Sequence, residues 1–79
     1  MALPLPVGDF WVSTLTAPVA RDSSDWYGMW WIYDRRPDLV ENAHVAPLAE
    51  GRTGAFAEER AADRSAKLAG RRRVIAMAT

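Results

Sequence analysis

Seventy-nine residues, 49% of them hydrophobic, suffice for one small domain and leave no room for a second core. Ten basic side chains balance ten acidic ones, which argues against a disordered tail and against a generally basic nucleic-acid binder. With no cysteine and one histidine, disulfides, thiol chemistry and ordinary zinc sites drop out of the expectations, and no cofactor is expected.

Residues 1–8 are punctuated by Pro4 and Pro6 and read as an extended lead-in rather than a helix. Phe10 to Ala20 is rich in β-branched and aromatic residues and reads as a strand, with Pro18 placing its end at an edge or bulge. Arg21 to Asp25 is a turn by composition, because Asp and Ser side chains bond the local backbone. Trp26 to Asp34 is the strongest strand signal, and the two strands form a hairpin. Pro37 closes the second strand, and a short third strand is expected over Leu39 to Val45, ended by Pro47. Glu50 to Gly54 reads as a loop.

From Ala55 to about Arg72 the chain turns alanine- and charge-rich, as a helix requires. Ala57, Ala61, Leu68 and Ile75 fall near one stripe, with Ser65 between them, and that stripe is the expected buried face. Glu58 and Glu59 stand early and Arg71 to Arg73 late, the order that the helix dipole favours, and Asp63 to Lys67 is an i, i+4 ion pair. Gly70 either caps this helix, leaving 71–77 as a last strand, or lies within it. Ile75, which keeps the stripe, favours continuation. The expected fold is α+β: a small antiparallel sheet of two or three strands built on an aromatic hairpin and covered by one C-terminal Ala/Arg-rich helix.

The hairpin is apolar on both faces, where a one-sided strand would alternate. With the loop centred on Ser23, Tyr27, Met29, Trp31 and Tyr33 share a face with Trp11, Ser13, Leu15, Ala17 and Val19. Trp26, Trp30 and Ile32 share the other with Thr14 and Thr16, beside a bare Gly28. The first face has the more uniformly apolar partners and is assigned to the core; Trp26, Trp30, Ile32, Thr14 and Thr16 become the candidate partner-binding surface. A single helix covers one face of a small sheet and not two, so one set of rings is left to a partner.

Charge is unevenly placed, with seven acids against three arginines in residues 1–50 and the reverse excess beyond. Arg71, Arg72 and Arg73 are therefore candidates for anion or nucleic-acid contact, although a dipole-compensating helix end is the commoner use of such a run. Asp9, Asp22, Asp25, Asp34 and Asp38 surround the hairpin and would repel phosphate. His44 stands alone, no serine lies in a nucleophile motif, and no catalytic or metal-ligating residue is assigned.

The uncharged run Phe10 to Ala20 is too short for the ~20 residues of a spanning helix. No basic residue precedes Asp9, so no secretory leader is expected, and a cytoplasmic setting follows. Nine arginines to one lysine, with fourteen alanines, suggest a bacterial or phage coding bias. The expected function is non-enzymatic: protein binding or self-association, as a homodimer or as an accessory or inhibitor protein. Nucleic-acid binding through sheet aromatics and Arg71–Arg73 is the alternative.

Overall fold

The computed structural model describes residues 3–42 and 44–78. Four strands, β1 (Leu5–Val7), β2 (Phe10–Pro18), β3 (Trp26–Tyr33) and β4 (Ala49–Arg52), form one antiparallel sheet in the order β1-β2-β3-β4. A helix, α1 (Glu59–Ala78), lies across β2 and β3 on one side. The fold is thus small α+β. Its shortest dimension, 16 Å between Cα extremes, is that of one sheet and one helix layer.

The β2–β3 hairpin carries the sheet. Pro18 pairs with Trp26 and Trp11 with Tyr33, so paired residue numbers total 44, and the loop centres one residue earlier than expected. The shift moves the register by an even number, and the two groups of side chains stay together as expected. Val19 N–H donates to the Asp25 carbonyl at 2.9 Å, and Asp25 N–H to Ser23 Oγ at 3.0 Å, closing the loop through the local bonding that Asp and Ser favour.

Two expected coil segments are strands. The stretch read as a lead-in contains β1, joined to β2 by Gly8-Asp9; Met1 and Ala2 lie outside the described residues. Gly8 has φ +58° and Asp9 does not have positive φ, the pattern of a two-residue hairpin with Gly first. The expected loop at 50–54 contains most of β4, whereas Leu39 to Val45, expected as a strand, holds a 3₁₀ turn at Val40–Asn42; Ala43 lies outside the described residues. Asn42 secures that turn by donating its side-chain amide to the Arg36 carbonyl at 2.9 Å. β4 owes its strand form to pairing with β3, not to the propensity of Ala-Glu-Gly-Arg. Beyond it, Trp26 and Phe56 exchange two backbone hydrogen bonds of 2.7 Å and return the chain to the sheet before α1 begins.

α1 runs through Gly70 to Ala78, so the expected continuation stands. Its buried stripe is another one: Ala62, Ala66, Gly70 and Val74 face the sheet, while Leu68 and Ile75 are exposed. The reason is distance. A Cβ built on Gly28 would collide with the Ala62 carbonyl oxygen and come to 2.8 Å from Ala66 Cβ, and one on Gly70 would lie 2.6 Å from Val12 Cγ1. Helix backbone and sheet backbone approach so closely here that only small side chains fit between them. Beyond the small stripe, Val12, Ile32 and Val74 form the core, with Phe10, Val7, Trp30 and Ala49 packed around it.

Candidate functional site

The helix selects which face of the sheet is the inside. Val12, Thr14, Thr16, Trp26, Gly28, Trp30 and Ile32 lie on the α1 side, and this reverses the expected assignment of faces. Ile32 is wholly buried and cannot face a partner in the folded chain. Thr14 Oγ1 donates to Asp63 Oδ1 at 3.1 Å and Thr16 Oγ1 to Glu59 Oε2 at 2.7 Å, so both threonines tether the first half of α1 to β2. Trp30 packs on the core and also lines an open groove between β4 and α1, together with Leu48, Ala69, Arg72 and Arg73. Trp26 is half-buried at the Phe56 bridge.

The opposite face is not covered by α1. Across the strands it reads in rows: Pro6, Trp11 and Tyr33; then Ser13, Trp31 and Glu50; then Leu15, Met29 and Arg52; then Ala17 and Tyr27. Its rings are half-buried by lying against one another, as cross-strand neighbours on a pleated sheet do, and Leu15 is 52% exposed among them. Two arginines cap the ends of the patch. The Arg36 guanidinium stands 5.4 Å from the Trp11 ring centroid and that of Arg52 stands 5.8 Å from the Tyr27 centroid, both within cation–π range. Partial burial pushes the Tyr33 phenol above the usual tyrosine range, and the nearby Glu50 carboxylate adds to the shift.

Trp11, Ser13, Leu15, Ala17, Tyr27, Met29, Trp31 and Tyr33, all on this open face, were expected in the core. The signal that identifies them is Gly28: a glycine within an aromatic strand marks the side on which another backbone comes close, so the odd-numbered rings of β3 face away from the helix. Arg71, Arg72 and Arg73 are exposed on α1, in the layer on the far side of the sheet from Trp11, Tyr27, Trp31 and Tyr33. His44 is exposed in the loop after the 3₁₀ turn. Among the described residues no helix is long and apolar enough to cross a membrane. Comparison with protein-family models, with curated proteins and with solved structures finds no match.

Proposed function

We propose that this chain is a non-enzymatic binding module that docks the open face of its sheet against another protein, one presenting an apolar patch bordered by carboxylates. The observation that carries the reading is the uncovered face itself, with Trp11, Leu15, Tyr27, Met29, Trp31 and Tyr33 on it. Trp, Tyr, Met and Arg are the residues that protein interfaces favour, and Arg36 and Arg52 at the ends of the patch call for acidic groups on the partner's rim. The four strands, of three, nine, eight and four residues, give at ~3.3 Å by ~4.8 Å per residue a footprint of roughly 400 Å², or about 800 Å² buried by both partners. That is the size of a weak, transient interface, as suits a small accessory or inhibitor protein of a bacterium or phage acting in the cytoplasm.

The test is to identify a partner by capture, purify it, and measure its affinity for the chain and for Leu15→Glu and Trp31→Ala. Both variants should keep the wild-type circular dichroism and lose at least about tenfold in affinity. Unchanged binding by both variants would refute the reading. So would salt-sensitive oligonucleotide binding that disappears when Arg71 to Arg73 are replaced, although the separation of that run from the open rings speaks against a shared stacking platform.

A further inference from the structure

The two edges of the sheet differ in what they offer. In β1, the two-residue turn makes Val7 and Phe10 a hydrogen-bonded pair, so by alternation Leu5 also faces β2 and Pro6 faces outward. That outward position has no N–H to give. In β4, Thr53 N–H donates to the Gly28 carbonyl at 2.8 Å and Gly28 N–H to Thr53 Oγ1 at 2.9 Å, which sets the alternation for the strand. Ala49 and Gly51 then face β3, and the N–H and C=O groups of Glu50 and Arg52 face outward, where no strand lies beyond them in the sheet.

We infer that two copies of the chain pair antiparallel through β4 about a two-fold axis at Gly51, with Glu50 of each copy opposite Arg52 of the other. Backbone and side chains select this register separately. A pair centred on Gly51 makes 50 and 52 hydrogen-bonded partners, so all four outward groups on each copy find a mate and four inter-chain hydrogen bonds form. The same register places opposite charges across the seam twice, whereas a shift of one residue either way about the axis puts Glu50 on Glu50 or Arg52 on Arg52. Charged side chains on a short edge strand ordinarily keep other strands away. Here their signs and their spacing of two admit one partner, a second copy, and repel it in the neighbouring registers. The helices do not collide: α1 lies over β2 and β3, so the two axes stand roughly 20 Å apart at ~4.8 Å per strand.

This inference does not rest on the open face. Sedimentation equilibrium of the full chain at concentrations on the order of 10 μM to 1 mM reads it directly. Wild type should dimerise; Glu50→Arg and Arg52→Glu should each weaken the dimer by about tenfold or more. An equimolar mixture of the two variants should form a heterodimer, because each then presents one sign to the other, and the double exchange Glu50→Arg with Arg52→Glu should restore wild-type association. Should either single variant misfold by circular dichroism, the folded double exchange decides alone. A wild type monomeric throughout, a mixture no stronger than its components, or a folded double exchange that fails to dimerise overturns the inference. A dimer that survives both charge variants but is lost in Leu15→Glu also overturns it, and assigns self-association to the ring face instead.

Discussion

The sheet has two faces of similar greasiness and unlike construction. On the α1 side Val12 and Ile32 fill the core, Phe10, Trp30 and Trp26 lie toward the margins, and glycine or threonine stands where the helix comes down. On the other side rings fill row after row, with the Arg36 and Arg52 guanidinium groups over the ends and α1 on the far side of the sheet. Close approach of two backbones, not the hydrophobicity of the side chains, decides which face the helix takes. A face crowded with indoles and phenols holds a helix off at ring thickness; one with Gly28 at its centre lets Ala62 and Ala66 settle onto the strand.

Substitutions on the two faces should therefore behave differently. The largest effect is expected at Gly28→Val, where the new side chain must displace the α1 backbone; overpacking of this kind should cost about 3 kcal/mol or more and abolish cooperative urea unfolding. Ile32→Ala removes a wholly buried side chain and should cost about 2–5 kcal/mol in the same measurement, whereas Leu15→Ala on the open face should stay within about 0.5 kcal/mol. Equal losses at Ile32 and Leu15 would dissolve the distinction between the faces. Thr14→Val removes the hydroxyl donor from Asp63 Oδ1, leaving Lys67 on Oδ2, and should cost about 1 kcal/mol, a loss that the same variant made in an Asp63→Ala background should not show in full.

A smaller effect is expected from pH. The folded state raises the Tyr33 pKa, so the stability tied to its neutral phenol is intact below the ordinary tyrosine value of 10.0 and is lost as pH climbs through the folded value. Ultraviolet titration should show one of the two tyrosines ionising late, and Glu50→Gln should bring that ionisation part-way back. Smallest is the half-buried Lys67–Asp63 pair at 2.8 Å, where Lys67→Ala should change the urea midpoint by no more than about 0.5 kcal/mol equivalent.

Much of this was legible in the residues. The β-branched and aromatic runs mark β2 and β3, the Asp/Ser cluster marks their loop, and the grouping of side chains by face follows from parity even with the loop centre one residue off. β4 was not legible because a four-residue strand holding a glycine and two charges carries no signal of its own; β3 makes it a strand. β1 was hidden by Pro4 before it and Pro6 within it, and an edge strand tolerates the latter. The choice of face and the choice of helix stripe both failed, the first because it rested on which side had the more uniformly apolar partners, the second because it followed Ala57, Ala61, Leu68 and Ile75. The informative residues were the smallest: Gly28, and the four-residue spacing of Ala62, Ala66 and Gly70.

The proline in β1 has a consequence for stoichiometry. A sheet with two receptive rims can add protomers without end, as fibrils do, whereas one whose first rim lacks a donor at Pro6 grows from the other rim only. Joining two such protomers through β4 would consume both receptive rims at once, so strand addition of the kind inferred above would halt at a closed pair rather than run on into a polymer.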